Sequence, residues 1–271
     1  MYIDFEFANK CLSDFGLIMC QMNTSAGLRQ VKIGSDIKFT TIKNNHSSIH
    51  SITSSAYENV YTTTFEIMKN PCIKNVDDLY MTIDESRCIT KWLNRRDYHK
   101  FTPFSNENYS LVHYYGSFNV SEIMIADRIA GLSLTFTSNA PYGFGEEIKI
   151  QTIVSTENQI IKIWGDGDEL DVIYPVTSFR CFADGDLKIT NLTTDNCVLI
   201  KNCVNGETIV MDGEHKIITS DKNHKNLYND FNYNFFDIDI SEYDGNENTY
   251  EVSIPCEITV TYIPIRKVGV M

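Results

Sequence analysis

From Glu251 to Tyr262 the chain alternates. Val252, Ile254, Cys256, Ile258, Val260 and Tyr262 are apolar, while Glu251, Ser253, Glu257, Thr259 and Thr261 between them are polar. A period of two sends every second side chain to one face of an extended backbone, so this run predicts a half-buried β-strand. Leu132, Leu134 and Phe136 repeat the pattern, with Ser133, Thr135 and Thr137 on the other face. Pro255 lacks an N–H, which predicts an edge position or a bulge. Asp166-Gly167, Asp184-Gly185, Asn205-Gly206, Asp212-Gly213 and Asp244-Gly245 punctuate the second half. These pairs accept the positive φ of tight hairpins. Short strands between such turns predict an antiparallel sandwich, not a parallel α/β sheet.

One helix stands out. Asp84 is placed to cap it, Glu85 falls in its first turn, and Ile89, Trp92 and Leu93 make an i, i+3, i+4 apolar stripe. Arg95 and Arg96 are expected in its last turn, where the helix dipole favours cations. Trp92 reads as a core anchor over the sheet, and residues 77–80 either extend the helix or form a separate turn. The stretch Asn-Ala-Pro-Tyr-Gly-Phe-Gly-Glu at 139–146 breaks the alternation, and a new strand pattern starts at Ile148. With 271 residues, more than one core comfortably needs, the chain divides into domains 1–147 and 148–271. Thr40 to Tyr57, rich in Ser, Thr, Asn and His, reads as a long exposed loop or arm. A loop of that length is uncommon in a compact domain unless it has a function.

The net charge of −13 argues against binding nucleic acid as a ligand and suits a conduit over which DNA slides without sticking. Cys11, Cys20, Cys72, Cys88, Cys181, Cys197, Cys203 and Cys256 are scattered, mostly among apolar neighbours, in a chain too large to need staples. Free buried thiols in a protein made in the cytosol is the expectation. The start, Met1-Tyr2-Ile3-Asp4, has no basic residue before an apolar run, so no signal peptide is expected. No apolar window is long enough for a membrane span.

Catalytic signatures are missing from the sequence. There is no Gly-x-Ser-x-Gly, His-Glu-x-x-His or phosphate-binding glycine loop, so no catalytic, cofactor-binding or metal-ligating residue is assigned. His46 and His50 stand four apart, but in a polar stretch of poor helix formers, which fits a solvated loop better than a metal site. His99, His113, His215 and His224 are isolated. Asp166, Asp168, Glu169 and Asp171 form the densest acidic cluster but lack the twelve-residue spacing of a calcium loop. A solvated turn is the default there and a weak divalent-cation site the minority reading. Trp164, Tyr228 and Tyr233 are candidates for stacking on sugars, although aromatics in a sandwich usually belong to its core. A glycan hydrolase needs two carboxylates at a set separation, and no pattern here marks such a pair.

The segment from Phe7 to Leu17, with its Ala8-Asn9 turn leading into Ser13-Asp14-Phe15-Gly16-Leu17, resembles the opening hairpin of phage distal tail proteins. Lys91-Trp92-Leu93 with Asp97–Phe101 resembles that family's single N-domain helix and following turn, and Tyr114-Tyr115-Gly116-Ser117-Phe118 through Pro141 resembles its meander. Beyond Ile148, Val172–Cys181, Gly206–Asp212 and Ile254–Thr261 resemble its C-terminal strands, while Gly245-Asn246-Glu247-Asn248 departs from the segment that often precedes the last one. The resemblance implies a mainly β protein. Its N-terminal part would be a sandwich or barrel-like ring domain with one helix, followed by a galectin-like antiparallel β-sandwich. It implies a structural virion protein without enzyme activity or cofactor, assembled in the bacterial cytoplasm. That protein would form a homohexameric ring at the tail tip, with an open lumen for DNA. Implied partners are the tail tube protein, a tail-associated lysin or hub protein and a receptor-binding protein, with no sequence-specific nucleic-acid binding. The alternative is a carbohydrate-binding adhesin module.

Overall fold

The computed structural model describes residues 2–20, 35–43, 50–72, 79–105, 112–222, 224–241 and 246–267. The chain folds into two compact units, residues 1–145 with 266–271, and residues 146–265.

The first unit contains β1 (Tyr2–Phe7), β2 (Lys10–Cys11), β3 (Leu17–Cys20), β4 (Ile37–Lys43), β5 (His50–Tyr57) and β6 (Thr62–Lys69). They are followed by α1 (Ile83–Leu93), β7 (His99–Ser105), β8 (Tyr114–Ile125), β9 (Arg128–Ser138) and β10 (Gly143–Phe144). Seven strands make one antiparallel sheet in the order β2-β1-β7-β8-β9-β6-β3. β1 and β3 stand near opposite ends of that order yet lie against each other, so the sheet curls toward a barrel. The alternation in β9 does what its period predicts: Leu132, Leu134 and Phe136 are fully buried. They join rings from four other strands. Phe101 sits 4.6 Å from Phe136 and 5.3 Å from both Phe5 and Phe118, with Phe65 5.6 Å from Phe5. Offset and edge-on rings at these separations add to the burial of their large apolar surfaces.

α1 begins two residues before the point where an Asp84 cap would have put it. Thr82 is the N-cap: its hydroxyl accepts the Glu85 N–H at 3.2 Å, and the Glu85 carboxylate accepts the Thr82 N–H at 2.7 Å. This reciprocal box satisfies two donors that a helix start otherwise leaves open. Asp84 is exposed in the first turn, and the helix stops at Leu93 with Asn94 as C-cap, so Arg95 and Arg96 lie beyond it. Leu79 and Tyr80 precede the cap in non-helical backbone, and residues 73–78 fall outside the described residues. Trp92 is the expected anchor, 4% exposed. Its ring stacks 4.6 Å from Phe15 and 5.8 Å from Phe5, and its indole N–H donates to the Phe7 carbonyl at 2.9 Å.

The second unit contains β11 (Ile148–Val154), β12 (Gln159–Trp164), β13 (Val172–Ile173), β14 (Val176–Cys181), β15 (Gly185–Asn191), β16 (Cys197–Cys203) and β17 (Thr208–Asp212). Then come β18 (Ile217–Ser220), the single-turn α2 (Leu227–Asp230), β19 (Ile238–Asp239), β20 (Glu247–Val252) and β21 (Cys256–Tyr262), with β22 (Ile265–Arg266) at the boundary where the second unit ends. A five-stranded sheet, β11-β21-β14-β17-β18, faces a four-stranded one, β12-β20-β15-β16. Phe179, Ile209 and Ile258 from the first sheet and Leu187, Ile200 and Tyr250 from the second share one buried cluster, as a sandwich requires.

Three sequence expectations are corrected here. The run from Glu251 to Tyr262 is not one strand: β20 ends at Val252, β21 starts at Cys256, and they belong to different sheets. Pro255, with no N–H to donate, lies in the crossing, and β21 is central rather than an edge. Of the Gly turns, Asp212-Gly213 joins hydrogen-bonded neighbours, β17 and β18. Asp184-Gly185 and Asn205-Gly206 instead carry the chain from one sheet to the other, with Gly206 at φ 73°. Asp166-Gly167 lies in a loop, and Asp244-Gly245 falls outside the described residues. All eight cysteines are free, but only Cys181, Cys203 and Cys256 are buried, while Cys72 and Cys88 are exposed.

Candidate assembly interface

β4 and β5 pair with each other in a two-stranded sheet of their own. Thr40–Tyr57, expected as a loop or arm, is therefore largely strand. Residues 44–49, with His46, fall outside the described residues, and His50 opens β5 opposite Lys43. β-branched Thr40, Thr41, Ile42, Ile52 and Thr53 favour extended backbone. Every residue of β4 is exposed. Ile37 is 50% exposed, Phe39 55%, Ile42 61% and Ile52 61%, and none of the four joins the buried core of its unit. An isolated two-stranded hairpin is marginal in water, and apolar side chains left in solvent lose the burial that would favour it.

The base of the arm is fixed. The Glu58 N–H donates to the Asp36 carbonyl at 2.7 Å, and the Ser35 N–H donates to Pro141 O at 3.2 Å. Tyr57 meets the Tyr142 ring edge-on at 5.8 Å. The two strands thus leave and re-enter the unit at one point. Sequence reasoning placed the start of the arm at Thr40 and so missed Ile37 and Phe39. Their i, i+2 spacing was the available signal.

Among the described residues no group of three or more His, Cys, Asp or Glu side chains is placed to hold a metal ion. Asp166, Asp168 and Asp171 are exposed and Glu169 half-buried, in a loop held by its backbone. There the Asp166 N–H donates to the Tyr262 hydroxyl at 2.9 Å, and the Asp171 carbonyl accepts the Ile240 N–H at 3.0 Å. His99 pairs with Asp97 at 2.9 Å and His215 with Asp212 at 2.9 Å, while His113 is buried. His224 is not isolated: it lies between the Glu207 and Asp230 carboxylates. Trp164, Tyr228 and Tyr233, expected in the core, are 58%, 62% and 65% exposed. Trp164 lies on the outward-facing side of β12, Tyr228 on α2 and Tyr233 in the turn that follows it. No helix among the described residues is long and apolar enough to cross a membrane.

Comparison with solved structures finds the same fold in the crystal structure of SPP1 Dit (gp 19.1), described as a paradigm of the hub adsorption apparatus in phages infecting Gram-positive bacteria. The TM-score is 0.64 at 12% identity, over 97% of this chain and 99% of that one. The phage P2 baseplate in its activated conformation with Ca also aligns, over 96% and 98%, but with a TM-score of 0.40 and 9% identity. No curated protein sequence matches. Two family models do: a phage tail protein N-terminal domain over residues 1–140 and a phage tail C-terminal domain over residues 142–262. Between them these models account for both folded units, and the chain belongs to this family of phage tail proteins.

Proposed function

We propose that this chain is a distal tail protein, a non-enzymatic ring component that joins the tail tube to the hub and receptor-binding apparatus at the tail tip. Six copies of domain 1–147 form the ring around a lumen for DNA, and domain 148–271 stands at its periphery. The exposed apolar arm carries this reading. A hairpin with no core of its own is suited to completing its burial on a neighbouring copy, and a rotation that closes on itself makes a ring. Six acidic copies, each of charge −13, repel one another. Closure therefore rests on apolar and strand-pairing contacts, and added salt helps it. Native mass spectrometry of the full chain tests the proposal. A hexamer that persists or strengthens as ionic strength rises supports it, and a monomer at every concentration and salt level overturns it.

The exposure of Trp164 favours a second reading, glycan binding by the outer face of the sandwich. Trp164 stands opposite Glu247 across β12 and β20, and Lys162 pairs with Glu247 at 2.7 Å. An aromatic face beside polar groups suits a sugar ring. Binding on a glycan array that is lost in Trp164→Ala would establish this reading; an array without hits removes it.

A further inference from the structure

Among the described residues, His224 has an unusual position for a side chain in a short surface turn. It is 5% exposed, with Nδ1 2.8 Å from the Glu207 carboxylate and Nε2 3.2 Å from that of Asp230. Glu207 is 1% exposed and belongs to the turn between β16 and β17; Asp230 ends α2. An ionised carboxylate only accepts hydrogen bonds, and neutral imidazole carries a single N–H. Both contacts are made at once only by the imidazolium ion, which has two.

We infer that His224 is a buried imidazolium clasp that pins α2 to the Glu207 turn, and that its deprotonation releases α2 while the two sheets stay folded. The Asp230 side opens first. That contact is the longer one, and Asp230 is 18% exposed against 1% for Glu207. Glu207 also keeps other partners: the Ser220 hydroxyl donates to it at 2.7 Å and the Val204 N–H at 2.9 Å. α2 itself is one turn long, held by the Asp230 N–H to Asn226 O at 2.9 Å and the Phe231 N–H to Leu227 O at 3.0 Å. Loss of its anchor therefore exposes those two amides.

The charged groups around the clasp fix the sign. Glu207 faces His224 from the turn before β17, Asp230 from α2 and the Cys203 thiol from the end of β16. Lys222 and Lys225 line the cavity of about 270 Å³ beside it. Burial pulls the imidazole down, but its hydrogen bonds to Glu207 and Asp230 outweigh this and hold it above the ordinary value of 6.5. A raised folded value means the clasp is fully formed below about pH 6.5 and is lost as pH rises through that folded value.

Hydrogen exchange of the full chain, read by mass spectrometry, tests this in two ways. Exchange at the imidazole carbon of His224 reports its titration, which should lie above the ordinary value of 6.5. Amide exchange across 226–231 should rise with pH by about tenfold beyond the intrinsic base-catalysed increase, with β15 and β21 unchanged. His224→Gln should abolish that extra pH dependence, and Asp230→Asn, which keeps the Glu207 contact, should move it to lower pH. A His224 that titrates at or below the ordinary 6.5, or 226–231 exchange that follows only the intrinsic rate in the unaltered chain, would overturn the clasp.

Discussion

The arm and the sandwich use the same element in opposite circumstances. In β21 every apolar side chain from Cys256 to Tyr262 faces a core supplied by the opposite sheet, and the strand has partners on both edges. In β4, Ile37, Phe39 and Ile42 are as apolar, but each hydrogen-bonded residue faces only β5, and the side chains meet solvent. Sequence pattern alone does not distinguish a strand that completes its own domain from one that needs another molecule. Its surroundings do. The arm adds little buried apolar surface to its own unit and, in the proposed ring, much to assembly.

The strongest way to break this contrast is to remove the arm. Deleting residues 37–57 and joining Asp36 to Glu58, already hydrogen-bonded at 2.7 Å, should leave a cooperatively folded chain that no longer assembles. Native mass spectrometry and thermal unfolding read the two halves of that statement; a variant that still forms hexamers removes the arm from the interface. Trp92→Ala probes the opposite pole, a side chain wholly spent on its own core. It should cost about 3–5 kcal/mol by denaturant unfolding, because it empties a packed site and removes the indole hydrogen bond to the Phe7 carbonyl. A loss under about 1 kcal/mol would show that the site collapses without penalty.

Smaller effects sharpen the comparison. Thr82→Ala should cost about 1 kcal/mol through loss of the cap on α1. The same box is acid-sensitive. Burial raises the Glu85 carboxyl, but its bonds to Lys69 and the Thr82 N–H outweigh this and hold it below its ordinary 4.5. Its contribution is thus present above that value and is lost as pH falls through the lowered one. Unfolding followed between pH 6 and pH 3 should show a steeper acid loss in the parent chain than in Glu85→Gln. Phe39→Ser should change unfolding free energy by no more than about 0.5 kcal/mol, as for an exposed site, yet weaken assembly. If its stability loss matches that of a core residue, the arm packs on its own unit and the contrast fails.

The features legible from sequence are those set by near neighbours. Trp92 was readable because Ile89, Trp92 and Leu93 fall on one helical face, and β9 because its alternation has a single period. The cap was misplaced because both Thr82 and Asp84 suit that role, and the backbone decided between them. Asn205-Gly206 specifies a tight turn, but whether the turn joins neighbours in one sheet or crosses between sheets depends on strands far away in sequence. Pro255 signalled an interruption whose result, a change of sheet, was equally non-local. For the arm, the Ser- and Thr-rich composition concealed strands, since those residues are common in loops. His224 reads as isolated in the sequence, and only the meeting of the β16–β17 turn with α2 brings Glu207 and Asp230 against it.

The pairing of β11 with β21 has a further consequence. Ile148, where the sandwich begins, lies directly across the ladder from Tyr262, near its end. Its entrance and exit are neighbours, so the whole sandwich is a cassette that another β-domain with adjacent ends could replace without re-routing the rest of the chain. The same adjacency makes the sandwich a candidate for circular permutation, its old ends fused by a short hairpin and new ones opened at the exposed Glu214–Lys216 turn.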